Sequence, residues 1–225
     1  GGGDPVRIEL PRGSYVPALR WATPPSESAG TRDGGHPAAL VNDWPTVVVS
    51  VDPVGSEADL GDAAARLLDH LAVELGRYRD VRVVLRRDPV PPVPFPSDDA
   101  RFALSGRFSV HDGGLCVIAR LVDCRAGGQL WAEEYQSGSS APRAFEEETA
   151  RVVAARVASE QGLVAKLLWG ERRAGPPAPL TLYGAILASY QFFFNRDPAD
   201  LAPAIDALKL AVSAEPECSL AWVQL

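Results

Sequence analysis

The chain has 225 residues, 46% of them hydrophobic, which is enough for more than one packed core. Its 29 acidic residues outnumber 22 Lys and Arg, and the net charge of −7 lacks the basic excess that a nucleic-acid-binding module carries. No apolar stretch reaches the ~18 residues of a membrane-crossing helix, and 3 Cys without a short-spaced pair argue against a disulfide framework or zinc site and for a reducing, cytoplasmic setting.

The chain opens on Gly1-Gly2-Gly3 and holds no Met, so it reads as a piece of a longer protein. Residues 1–21 form the first segment. There Val6, Ile8 and Leu10 alternate with Arg7 and Glu9, Pro11-Arg12-Gly13 turns the chain, and Tyr15-Val16 offers a returning strand. This is a β-ribbon, a unit that is marginal in isolation. Residues 22–45, rich in Pro, Ser, Gly and Thr, read as a flexible linker closed by Trp44-Pro45.

Residues 46–173 read as an α/β domain. Thr46 to Val51 is a run of β-branched residues, the composition of a buried central strand. An amphipathic helix follows, from about Glu57 to Arg77, with Leu60, Ala64, Leu67, Leu71 and Leu75 on one face. Val81 to Leu85 is a second strand, so strand, helix and strand make a βαβ unit with parallel strands. Residues 86–100 contain Pro89, Pro91, Pro92, Pro94 and Pro96 and exclude a helix interior or a central strand. They read as a surface loop, or else as a ligand for an aromatic groove.

From Arg101 to Tyr135 the pattern predicts a three-stranded meander. Phe102, Leu104, Gly106 and Phe108 alternate with Arg101, Ala103, Ser105 and Arg107. His111-Asp112-Gly113-Gly114 breaks the run with a hairpin signal, and Arg125-Ala126-Gly127-Gly128 makes the next turn. On the last strand Leu130, Ala132 and Glu134 fall on one face, and Trp131, Glu133 and Tyr135 on the other. One long helix is expected from about Pro142 to Glu171, buried along Phe145, Thr149, Val152, Val153, Val157, Val164, Leu167 and Leu168. Glu146, Glu147 and Glu148 read as a solvated face, because adjacent helical residues splay by about 100° each and do not converge on an ion. With both helices on one sheet face, the meander keeps a more polar second face.

The meander also resembles a known family. Ser105, Gly106, Leu121, Asp123, Gly128, Leu130, Trp131, Glu133 and Tyr135 match the recurring pattern of the TolB amino-terminal-like α/β domain of bacterial signalling proteins. Thr46 to Val51 resembles that domain's opening strand, although Asp52-Pro53-Val54 departs from the family's Pro-Phe ending. The Pro-rich 86–100 segment stands where the family has a helix. The resemblance implies a domain that often precedes tetratricopeptide repeats and often follows a nucleotide cyclase or a winged-helix domain. Residues 4–19 are similar to the wing hairpin of such a winged-helix segment, and they read equally as an ordinary strand pair.

Residues 174–179, Ala-Gly-Pro-Pro-Ala-Pro, form a stiff linker before a helical segment, 180–225. Leu182 to Asn195 is one helix with Tyr183, Tyr190, Phe192, Phe193 and Phe194. Ala199 to Ala214 is the next, with Ala204, Leu208 and Ala211 on its packing face and Pro216 after its end. Trp222 and Leu225 fit the start of a further unit, and the spacing is similar to tetratricopeptide repeats, with more repeats expected downstream. Tyr190, Phe193 and Trp222 are the candidate partner-binding residues.

No motif for phosphate cradling, nucleophilic catalysis or metal binding occurs. The isolated His36, His70 and His111 predict no site, with His70 expected to pack at the edge of its helix's stripe. Cys116 reads as a small core residue, and Trp131 as packing under a helix. The fold class is α/β: a mixed sheet with packed helices, a tetratricopeptide-like tail and an N-terminal ribbon. The functional expectation is a non-catalytic sensory or scaffolding module, with no cofactor and no metal. It binds a protein partner or a small ligand, or self-associates through its helices as a homo-oligomer, without nucleic acid or membrane. The alternatives are a regulatory part of a class III cyclase and an effector part of a winged-helix transcription regulator.

Overall fold

The computed structural model describes residues 6–9, 18–21, 43–55, 58–87, 100–111, 114–138, 141–175 and 179–225. Nearly all of the 22–45 linker, the Pro-rich stretch 88–99, the Asp112-Gly113 tip and Tyr15-Val16 lie outside them. The chain divides into two units, residues 1–36 and 37–225. In the first, β1 (Val6–Glu9) pairs antiparallel with β2 (Ala18–Trp21), Val6 opposite Trp21 and Glu9 opposite Ala18. The ribbon is present, with a return strand described at Ala18–Trp21.

In the second unit five strands run in the order β4-β3-β5-β6-β7. β3 (Thr46–Pro53) lies between β4 (Arg82–Leu85) and β5 (Phe102–His111) and is parallel to both. β6 (Gly114–Asp123) and β7 (Gly128–Gln136) complete the antiparallel meander. A central strand is apolar at every position because both its faces are covered, and Val47, Val48 and Val49 are 0, 4 and 0% exposed. α1 (Ala58–Leu75) connects β3 to β4, as a βαβ unit requires. The turn after β6 closes on Asp123, whose Oδ1 accepts from the backbone N–H of Arg125 at 2.9 Å and of Ala126 at 3.4 Å. Gly127 takes φ +67°, open to glycine at little cost.

The period-2 alternation points Val47 and Val49, Phe102, Leu104 and Phe108, and Val117, Ala119 and Leu121 into one core. The apolar stripe of α1 and the Phe145–Val157 stripe of α2 (Pro142–Ala158) fill that core side by side, on the same sheet face. β7 departs from simple alternation. A bulge opposite Leu121 and Val122 lets Leu130 pack on the core that Trp131 and Tyr135 also touch, so Leu130 does not share a face with Ala132 and Glu134.

The single helix expected from Pro142 to Glu171 is two, α2 and α3 (Leu163–Ala174). Ser159 is extended at φ −65°, ψ 164°, and Gly162 begins the next helix. A Cβ at Gly162 would lie 2.5 Å from the carbonyl oxygen of Val157 and 2.8 Å from that of Ser159. Both obstacles are backbone, so the chain must shift to admit a side chain. Gly162→Ala is expected to cost about 1–2 kcal/mol, seen as a lower urea midpoint at unchanged m-value. An unchanged midpoint would mean that the corner adapts freely. On α2, Val152 points outward, 37% exposed, rather than into the stripe.

Three helices follow: α4 (Leu182–Asn195), α5 (Pro198–Ala214) and α6 (Ser219–Gln224). Thr181 Oγ1 caps α4 by accepting from Gly184 N at 3.0 Å, and Asp197 Oδ1 caps α5 by accepting from Ala199 N at 2.9 Å. Ala204, Leu208 and Ala211 face inward at 3, 1 and 0% exposure. Leu208 and Ala211, together with Tyr183, Ile186, Leu187 and Ala221, build a second core.

Candidate functional site

The three residues singled out for partner binding are not equivalent. Tyr190 is 3% exposed, and its hydroxyl donates to Asp80 Oδ2 at 3.2 Å, so it belongs to the interior rather than the surface. The reason is the helical turn: Tyr190 shares a face with Tyr183, Ile186 and Leu187, which the second core requires. Phe193 is 46% exposed, tilted on Phe192 with ring centroids 5.7 Å apart. Trp222 is 55% exposed and is held by its indole N–H, which donates to Pro216 O at 2.9 Å. Beside it on α6 Val223 is 78% exposed, and on α5 Leu210 is 56% exposed. The hydroxyl of Ser189 joins α4 to α6 through Gln224 Oε1 at 3.2 Å. α5, α6 and the end of α4 therefore expose several large apolar side chains, Trp222 among them held by a hydrogen bond.

Beneath it lies a buried polar junction. Asp80, just before β4, is 4% exposed. Burial raises its carboxyl above the ordinary range; a backbone hydrogen bond and the Tyr190 hydroxyl oppose that shift, and nearby Glu160 adds to it. Tyr183 stacks edge-on against Trp44 with centroids 5.3 Å apart, and its backbone N–H donates to Asp43 Oδ1 at 3.2 Å. Its hydroxyl is buried without a hydrogen-bond partner among the described residues. Burial, then the charge of Asp80, pushes the pKa of both tyrosines up.

A second feature joins α1 and α2. Arg66 donates from Nε and Nη2 to the two carboxylate oxygens of Glu146 at 2.9 and 2.8 Å, and the Glu146 side chain is fully buried. The acidic run thus splits. Glu147 and Glu148 face solvent as expected, while Glu146 turns inward, because the α1–α2 seam supplies a guanidinium. On the outer side of that seam His70, Glu74, Arg77, Glu147, Glu148 and Arg151 line an open cleft of about 480 Å³. His70, half-buried beside the apolar stripe of α1, lines this cleft. The cleft's charges pair among themselves, Arg77 with Glu74 at 2.9 Å and Arg151 with Glu148. Among the described residues no group of three His, Cys, Asp or Glu is placed to hold a metal ion.

Cys116 is 6% exposed; burial and then Glu134 raise its thiol, the reverse of what activates a nucleophile. Cys116, Cys124 and Cys218 are all free thiols. Trp131 is half-buried against the main core. The side chain of His111 and Asp112 lie outside the described residues. No helix among the described residues is long and apolar enough to cross a membrane.

No protein-family model matches the chain, and no curated protein matches it. Among solved structures it is similar to TolB from Acinetobacter baumannii, at 13% identity and a TM-score of 0.35, over 52% of this chain and 28% of that one. It is similar to a PelC dodecamer subunit from Paraburkholderia phytofirmans at 20% identity and a TM-score of 0.30, over 54% and 89%. A neuraminyllactose-binding hemagglutinin homologue from Helicobacter pylori follows at 11% identity and a TM-score of 0.33, over 59% and 92%. The chain spans 28% of the TolB chain's length.

Proposed function

We propose that this chain is a non-catalytic interaction module that engages a protein through the outer surface of α5 and α6. In the isolated chain, a second copy meets that surface. What supports the reading is the number of large exposed apolar side chains on α5, α6 and the end of α4: Phe193, Leu210, Trp222 and Val223 are between 46 and 78% exposed. Exposed apolar and aromatic side chains mark sites of association. Trp222 is already fixed in orientation by Pro216 O, so burying it costs less side-chain entropy than burying a free ring. In this reading the α/β body positions the helices, through the Asp80–Tyr190 and Asp43–Tyr183 hydrogen bonds. The broader role is a scaffold or sensor within a signalling protein, working in the cytoplasm.

The test is light scattering across a concentration series. The unmodified chain is expected to rise toward twice its monomer mass, whereas Trp222→Ser and Val223→Asp stay monomeric with unchanged melting temperatures. A chain that remains monomeric throughout, or variants that associate as before, would overturn the assignment of this surface. ATP turnover by the purified chain would overturn the non-catalytic part.

A further inference from the structure

The stretch from Arg77 to Arg87 carries charge of the opposite sign to the whole chain. It holds five Arg and one acidic residue, Asp80, in a chain of net charge −7, and Asp80 is buried at 4%. Its centre is β4, a terminal strand of the sheet among the described residues. Arg82 and Arg86 donate their backbone N–H groups to Pro45 O at 2.9 Å and Val49 O at 2.8 Å. Backbone direction alternates along a strand, so Val83 and Leu85 turn their N–H and C=O groups off the sheet. The strand is exposed: Val84 and Leu85 are 41 and 40% exposed, and Arg82, Arg86 and Arg87 face solvent.

The two faces of this edge differ. Val83 and Leu85 align with Val47 and Val49 of β3 and so lie on the helix side, where Val83 packs on the main core. Arg82 and Val84 align with Thr46 and Val48 on the other side, and Arg86 follows by period. Among the described residues two carboxylates reach these five arginines: Asp69 meets Arg87 at 3.1 Å, and Glu74 meets Arg77 at 2.9 Å. Arg79 Nη1 donates to Ser219 Oγ at 3.4 Å. Arg82 takes part in no ion pair among the described residues. Exposed pairs such as Asp69 with Arg87 contribute little, so an incoming carboxylate competes with them at small cost.

A strand edge offers backbone donors and acceptors to any extended chain, and the side chains beside it decide which one fits. Arg82 and Arg86 share one face, with the apolar Val84 between them. A strand laid along β4 sets its own alternate side chains opposite these, where opposite charges favour pairing. Guanidinium takes a carboxylate through parallel N–H donors. The other face of the incoming strand meets Val83 and Leu85 and has to be apolar. We propose that β4 binds an extended acidic segment of a partner protein by strand addition, with acidic residues beside Arg82 and Arg86 and apolar ones beside Val83 and Leu85. The same arginines turn away a second β4, so the edge selects by charge. Strand addition here is independent of association through α5 and α6.

The test adds a fluorescein-labelled peptide of about ten residues, alternating Glu and Val, to the 225-residue chain and follows anisotropy. Saturable binding is expected, with the amide protons of Val83 and Leu85 gaining protection from exchange. A peptide of the same composition with Glu and Val in separate blocks, and one N-methylated at every backbone nitrogen, are expected not to bind. Arg82→Glu is expected to weaken binding about tenfold. Leu85→Pro removes an N–H that β3 does not use, so it is expected to abolish binding and leave the melting temperature nearly unchanged. No saturable binding, or binding that survives both Arg82→Glu and Leu85→Pro, would overturn strand addition at β4. So would binding by the methylated peptide, which marks attraction of any polyanion. A rise in the chain's own mass with concentration that Leu85→Pro abolishes would overturn the assigned occupant, since the edge then belongs to a second copy.

Discussion

Arg66→Ala is expected to lower the stability of the chain by about 3 kcal/mol at neutral pH, the typical cost of stripping a buried ion of its partner. The magnitude follows from asymmetry of burial. Arg66 is 49% exposed and regains water when its partner is lost, whereas Glu146 is at 0% and cannot. Removing the guanidinium leaves two carboxylate oxygens in the α1–α2 seam without the donors now at 2.8 and 2.9 Å. The double variant Arg66→Met with Glu146→Leu is expected to recover most of the loss, because no charge is then stranded. Urea unfolding of the three chains gives the coupling directly. A single-variant loss below about 1 kcal/mol would show that water reaches Glu146 and that the seam is not sealed.

The second large effect is at the junction of the sheet with α4. Tyr190→Phe is expected to cost about 2 kcal/mol at neutral pH, within the range for a hydrogen bond to a charged group. The hydroxyl is the side-chain donor to Asp80 Oδ2, and Asp80 is 4% exposed. Its native pKa is raised, chiefly by burial, so the folded chain binds its proton more tightly than the unfolded one. Stability from this group is therefore greatest below the ordinary aspartate range of about 4 and falls as pH rises through the raised native pKa. Tyr190→Phe removes a contact that lowers this pKa, so it steepens the fall, and Asp80→Asn abolishes it. A pH series of urea midpoints distinguishes the three chains. Equal slopes in the parent and Asp80→Asn would place the titration elsewhere.

Much of this architecture can be read from the sequence, for identifiable reasons. Asp112-Gly113 and Arg125–Gly128 separate the three strand runs, so the meander's order follows from turn chemistry, while the bulge that shifts Leu130 does not. The β-branched Thr46–Val49 run marks β3 as central, and the leucine stripe sets α1 on the core face. The break between α2 and α3 is harder to see, because Ser159-Glu160-Gln161 is compatible with helix; Gly162 was the available signal. The inward turn of Glu146 depends on where another helix places Arg66, 80 residues away in sequence. Tyr190 lies within an aromatic run in which Phe193 is exposed and Tyr190 buried, and only the packing of α4 on α5 and the sheet separates them.

The two rims of the sheet carry opposite charge, and this bears on aggregation. Among the described residues β7 and β4 are the terminal strands, each with one side of its backbone unpaired, and such edges invite further strands. On β7, Glu133 and Glu134 are adjacent and so lie on opposite faces, and a second β7 would bring carboxylates against carboxylates. On β4, the exposed Val84 and Leu85 are bracketed by Arg82, Arg86 and Arg87, which act as gatekeepers against a second β4. Like edges repel, and a mixed β7–β4 contact is limited to the four residues of β4. The sheet is thereby kept from growing into a fibril while the apolar helices at the far end of the chain stay free to associate.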